Sequence, residues 1–338
     1  MTQPLQIAFL GSDPIALPLL EWLAGEGRAA GSVAVVYTQP DRPAGRGQKV
    51  VANAIKSWAL AHGVPVRQPE KLTGEQPAEV AALGVDLALV MAYGHLLRDE
   101  LIAAPRLGTV NLHASILPQY RGASPIQTAI ACGERETGVA LMRMVRKLDA
   151  GPVADLERVA IGPRDTAVDV EARLAAACVP LLARTLPRLA DGELMFRAQD
   201  EAAASYCRKL EKDDGALDFT APAAVLAARI NGLFPWPACA AEIAGATIKF
   251  GLADRLGGGG CHIMYDNGSR PGRVLGMDEA GLRVGTGAGV LRVRRMQRPG
   301  GRMMDAAEFL RGFPLPAGTE IASRPMTPLV APQPFKKK

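Results

Sequence analysis

The 338-residue chain reads as an α/β fold, a doubly wound parallel sheet, joined to a small C-terminal β-barrel. Three observations predict this. Apolar runs recur through the first half: LQIAFLG (5–11), VAVVYT (33–38), VDLALVMAYG (85–94), GTVNLH (108–113) and GVALMRM (138–144). Helical patterns separate them, ALPLLEWLAGEG after Pro14 and NAIKSWALAHG ending at Gly63, so successive strands run parallel with helices on both faces. Beyond Pro237 the pattern turns to short alternating runs, ATIKFGLA, PGRVLGM, GLRVGTG and VLRVRRM, punctuated by Gly as in a small barrel or sandwich.

Taken in order, Gly11-Ser12-Asp13-Pro14 follows the first strand as a tight turn. It lacks the GxGxxG spacing that brings backbone against a pyrophosphate, and Pro14 removes an amide donor. Ligands of such sheets sit outside the carboxyl ends of the strands, which places Ser12, Tyr93, Asn111 and His113 near one another. Residues 166–194 have helical periodicity ending at Asp191-Gly192, and the polar, weakly periodic stretch that follows marks a boundary. The expected division is 1–190, a linker over 191–208, a second domain over 209–325 and a basic tail over 326–338. GGGG at 257–260 reads as a connector, and PWP at 235–237 as structural, with Trp236 packing the start of the second domain.

Composition is that of an ordinary globular protein, 48% hydrophobic and 22% charged. No signal peptide is expected at the start, and no apolar stretch reaches the roughly 18 residues of a membrane span. Cys132, Cys178, Cys207, Cys239 and Cys261 are odd in number, widely spaced and without a CxxC pair, which points away from disulfides and zinc and toward the cytoplasm. Residues 1–200 hold 20 basic and 21 acidic side chains, net −1, whereas 201–338 hold 19 and 13, net +6. That asymmetry points the second half toward a polyanion, although a basic surface also serves solubility.

His62, His95, His113 and His262 never stand at i, i+3 or i+4, and neither HExxH nor GxSxG occurs, so a local metal or serine-nucleophile site is not expected. What remains is Asn111 and His113, two residues apart at the end of an apolar run and therefore on one face of a strand. An amide donates without changing charge and an imidazole titrates near neutrality. Together they suit an acid/base centre that holds an oxyanion, or simply a pair bonded to neighbouring backbone. Asp149, after GVALMRM, is a candidate third group, and Asp-Ala-Gly there equally reads as a turn.

The motifs NLHASILPQYRGASPIQ, VMAYG and ETGVALMRMVRKLDAG resemble the formyltransferases that use 10-formyltetrahydrofolate, and TQPDRPAGRGQK, YCRKLEKDDGALDF and FPWP resemble the branch acting on methionyl-tRNA. The likeness runs from about Leu5 to about Leu310 and implies a Rossmann-like formyltransferase domain, a linker and a C-terminal OB-like barrel that helps hold tRNA. It implies Asn111, His113 and Asp149 as the catalytic residues, and Ser115, Ile116, Leu117 and Pro118 as folate-contacting. The reaction implied is formyl transfer from 10-formyltetrahydrofolate to the amino group of methionyl initiator tRNA, with no metal and no obligate protein partner. Arg42, Arg46 and Lys49 on the DRPAGRG loop and Lys209 in the linker are the candidate tRNA contacts, with Lys212 and RVRRMQRPGGR (292–302) as further possibilities. The chain departs from the family at Ala114, Ile116, Pro152 and Phe234. Two alternatives remain: transfer to an amino sugar nucleotide, which has no use for the basic loop, and an RNA-binding protein with a dead enzyme-like domain, which would not keep all three catalytic positions.

Overall fold

In the computed structural model, which describes residues 4–44, 47, 49–72, 74–256 and 270–335, the predicted parallel sheet is present. Leu5–Gly11 (β1), Gly31–Tyr37 (β2), Val66–Arg67 (β3), Leu87–Met91 (β4), Thr109–His113 (β5), Glu136–Arg143 (β6) and Val153–Ala160 (β7) lie in the order β7-β6-β5-β4-β1-β2-β3. Strands β1 to β5 pair in parallel and β6 returns antiparallel to β5. Every residue of β4 and β5 is buried, as expected for central strands covered on both faces. Chain direction reverses its march between β1 and β4, and in such sheets the crevice outside that switch point is where ligands bind. Ser12 Oγ lies 3.4 Å from the Tyr93 carbonyl there, bringing the ends of β1 and β4 together. The Gly11–Pro14 turn is also a helix start: the Asp13 carboxylate accepts from Ile15 N at 3.0 Å.

The sheet belongs to a first unit that takes in the chain up to Arg121, Gly138–Val159 and Glu171–Ala204. The second unit takes in Gly122–Thr137, Ala160–Val170 and the chain from Ser205. In it, Cys239–Ile243 (β8), Ala246–Arg255 (β9), Val274–Asp278 (β10), Gly281–Gly285 (β11) and Val290–Gln297 (β12) form an antiparallel sheet in the order β8-β9-β12-β11-β10. Alternation sends Leu291 and Val293 of β12 into the core and leaves Arg292 and Arg294 on the other face. The helix Ala223–Gly232 packs on β9, with Leu226, Ile230, Phe250 and Ala253 fully buried. Register shifts at Leu252–Ala253, and buried Asn231 serves the Ala253 peptide there. Its amide donates to the carbonyl at 2.9 Å and its oxygen accepts from the N–H at 2.8 Å.

Trp236 departs from expectation. It is 55% exposed, because the turn after Ala223–Gly232 gives the core positions to Leu233, Ala238 and Cys239 instead. Arg46, the GGGG connector, Cys261, His262 and the closing KKK lie outside the described residues. Among the described residues the other four cysteines form no disulfide, and three of them are buried; burial pushes Cys178 and Cys239 up to about 12. Among the described residues no helix is long and apolar enough to cross a membrane, and no cluster of His, Cys, Asp or Glu suits a metal ion.

Candidate active site

Strand β5 ends on the pair that the period-two spacing singled out. Asn111 and His113 are 8% and 6% exposed. Asn111 stands between Val90 of β4 and Met142 of β6, and His113 opposite Ala140, so backbone pairing on both sides fixes where the side chains start. Among the described residues the Asn111 carboxamide makes no hydrogen bond, leaving its donors unspent at a buried strand end.

His113 Nε2 lies 3.0 Å from the Tyr120 carbonyl. A carbonyl only accepts, so Nε2 carries the proton and Nδ1 is the nitrogen left for other work. Asp149 Oδ2 stands 3.8 Å from Nδ1, close enough for charge attraction and beyond a direct hydrogen bond. Asp149 has φ +46°, a left-handed conformation that costs a non-glycine residue roughly 1 kcal/mol. Asp149 is therefore a turn residue that also stands beside His113.

The loop after β5 is folded on itself. Ser115 is fully buried, its hydroxyl donating to the Gln119 carbonyl at 2.6 Å. Leu117 packs with Ala140, Met142, Val153 and Leu156, so Ser115 and Leu117 point inward while Ile116 and Pro118 are half-buried. Leu117 and Pro118 border a cleft of about 360 Å³ with Asp155, Leu156, Arg197 and Gln199; Asn111, His113 and Asp149 are not among its lining residues. Buried Tyr93 and half-buried His95, after β4, each hold a side-chain polar atom without a hydrogen-bond partner, the Tyr93 hydroxyl and His95 Nε2. Burial raises the Tyr93 hydroxyl to about 12.

Arg42 and Lys49 are exposed, on two short antiparallel strands, Arg42–Ala44 and Lys49–Val51, that pair as the two arms of a hairpin. Its base is braced where Asp41 takes Lys56 at 2.5 Å and Gln68 at 2.7 Å, contacts that hold its carboxyl below the ordinary range. Lys209 and Lys212 are exposed. In the 292–302 stretch, Arg292 and Arg294 reach Asp254 at 3.1 and 2.7 Å, so much of that positive charge is already matched within its own sheet.

Sequence reasoning left Arg121, Gln199 and Glu201 without a role. Arg121 is fully buried, pairs with Glu201 at 2.8 Å and bonds Gln199, which in turn reaches the Asp149 turn. No local pattern could have shown a link across about 80 residues.

The formyl transferase family matches residues 5–186, and formyl transferase, C-terminal domain, matches residues 209–314. The chain belongs to the formyl transferase family. Within it, the methionyl-tRNA formyltransferase of Burkholderia multivorans is 41% identical over 332 residues, 95% of this chain and 98% of that protein. The methionyl-tRNA formyltransferase of Aromatoleum aromaticum is 39% identical over 324 residues, 95% of this chain and 99% of that one. Among solved structures, the N-formyltransferase from Helicobacter canadensis, in complex with folinic acid and dTDP-3-aminofucose, gives a TM-score of 0.64 at 18% identity over 87% of this chain and 99% of that one. HypX from Aquifex aeolicus, in complex with tetrahydrofolic acid, gives 0.59 at 15% identity over 94% of this chain, which spans 51% of HypX. At such identities the likeness to this formyl transferase family member is one of fold.

Proposed function

We propose that the protein transfers the formyl group of 10-formyltetrahydrofolate to the amino group of methionyl initiator tRNA, in the cytoplasm, for translation initiation. The observation that carries this reading is an Asn-His-Asp constellation at the carboxyl edge of the sheet, in a chain that matches methionyl-tRNA formyltransferases along nearly their whole length. The catalytic domain is assigned to 1–190, the linker to 191–208, a tRNA-holding domain to 209–325 and a tail to 326–338, in keeping with the two family matches.

A neutral amine attacking the formyl carbon puts negative charge on the formyl oxygen, so donors must already be aimed there. The uncommitted Asn111 amide is one such donor. With Nε2 spent on Tyr120, His113 acts through Nδ1, beside Asp149, taking the proton released by the attacking amine and passing it to N10 as the bond from the formyl carbon to N10 breaks. Main chain of Ser115 to Pro118, with the Ile116 and Pro118 side chains, forms the folate contact. Arg42, Arg46, Lys49 and Lys209 contact tRNA phosphates, which position a polynucleotide without reading its bases.

Charged initiator tRNA incubated with protein and 10-formyltetrahydrofolate is expected to yield formylmethionine. Product from an amino sugar nucleotide but none from tRNA would replace this reading. His113→Ala is expected to cut kcat by ~10²–10⁴ and Asn111→Ala by ~10²–10³, with tRNA retention unchanged. Loss of retention with kcat intact would remove both from catalysis.

A further inference from the structure

The Gln199 carboxamide uses its whole hydrogen-bonding capacity at one place. Nε2 donates to the Asp149 carbonyl at 2.8 Å and to the Gly151 carbonyl at 2.7 Å, bracketing the left-handed turn, and Oε1 accepts from Arg121 Nε at 3.1 Å and Nη2 at 2.8 Å. A guanidinium has donors only, so Arg121 dictates which way the amide points. Arg121 is itself immobilised, fully buried and forked onto Glu201 through Nη1 at 3.2 Å and Nη2 at 2.8 Å. The preceding residue, Tyr120, supplies the carbonyl that holds His113 Nε2. Residues 120 and 121 therefore grip both halves of the acid/base pair, the imidazole directly and the carboxylate turn through Gln199.

A non-glycine residue stays left-handed only where its surroundings over-determine the backbone. Two bonds to the carbonyls on either side of Ala150 do that, and the turn in turn aims the Asp149 side chain. We propose that Gln199, oriented by buried Arg121, is a positioning residue that sets the Asp149 carboxylate against His113. The inference rests on the catalytic reading above. A misplacement of about 1 Å at such a centre costs up to ~10²-fold in rate, so the arrangement matters for turnover without touching either substrate.

Gln199→Glu separates this role from folding. A carboxylate still accepts from Arg121 but has no N–H for the two carbonyls. Gln199→Met, of similar length, removes both functions. Each variant is measured for thermal midpoint, for kcat and KM with both substrates, and for the ring ¹⁵N signals of His113 in substrate-free full-length protein, assigned by comparison with His113→Ala. Arg106→Ala, an exposed ion-pair residue, is the control. Expected for both Gln199 variants are His113 signals displaced from wild type, kcat down ~10–100-fold and KM values within about threefold. His113 signals that stay in place, or kcat per folded molecule within about threefold of wild type, overturn the proposal. The ¹⁵N measurement needs no substrate, so it decides the positioning role even if wild-type protein fails to formylate methionyl-tRNA, a result that counts against the catalytic reading instead.

Discussion

Glu201 shows how one exposed carboxylate can serve a buried site. Its side chain is 53% exposed, yet it meets Arg121 at 2.8 Å and Lys147 at 2.6 Å, and these hydrogen bonds, Arg121's first, hold its carboxyl down to about 2. A carboxylate depressed in the folded state stabilises at pH above its unfolded value near 4.3, and the contribution drains away as pH falls through about 2. Solvent screening at so exposed a group keeps the effect modest. Urea midpoints of wild type and Glu201→Gln should differ at pH 7 and converge between pH ~4.5 and the acid limit of the fold. A gap unchanged from pH 7 to pH 3 would mean that the pair contributes nothing through its charge. At this scale Asn111 and His113 were legible from the alternation of strand side chains alone. Asp149 was a candidate from its place after β6, but Asp-Ala-Gly on its own equally says turn, and the family resemblance was what favoured it. Gln199 was illegible, since its partners Arg121 and Asp149 are 78 and 50 residues away and nothing local distinguishes it from any polar residue of a linker.

Among the elements, the connection from β6 to β7 carries the tightest constraint near the site. A Cβ on Gly151 would stand 1.8 Å from the Arg143 carbonyl oxygen, so this residue is glycine because backbone occupies the space. Gly151→Ala is expected to push the turn off β6, destabilise by about 1–3 kcal/mol and lower kcat together with stability. A variant of wild-type stability and activity would show that the connection is slack. In the second unit, the KDDG motif closes a turn on Asp214, which is 1% exposed and takes Arg208 at 2.5 Å, Glu211 N at 2.7 Å and Thr327 at 2.7 Å. Burial alone would raise this carboxyl, and these hydrogen bonds outweigh it and hold it low. Asp214→Asn leaves Arg208 half-buried without its charge partner, and urea unfolding should show a loss of about 3 kcal/mol. The central strands β1, β2, β4, β5 and β6 were readable as apolar runs. Two edge strands were not: β3 is only Val66–Arg67, and β7, VADLERVA, hides its alternation behind Asp155 and Glu157, whose charges are taken by Arg184 of the long helix Ala167–Ala190.

For the molecule as a whole, the net +6 of residues 201–338 overstates the charge offered to a polyanion. Arg292 and Arg294 share Asp254, and Arg292 lies 3.7 Å from Asp278, so these cations face an acidic partner in their own sheet. Arg42, Lys49 and Lys209 stand exposed instead. A sequence count cannot separate the two groups, because what distinguishes Arg294 from Lys209 is an aspartate on a neighbouring strand. The distinction makes a measurable difference under the proposed function. Each lysine or arginine that neutralises a phosphate releases condensed counterions, and its removal lowers the slope of log affinity against log salt by about 1. Retention of methionyl initiator tRNA, titrated across ~50–200 mM salt, should therefore show a shallower slope for Arg42→Ala and Lys49→Ala, with kcat at saturating tRNA little changed. Arg294→Ala should keep the wild-type slope while losing stability, since it breaks a pair that is only about a fifth exposed. A slope that falls for Arg294→Ala and holds for Arg42→Ala would move the tRNA track from the hairpin to the antiparallel sheet.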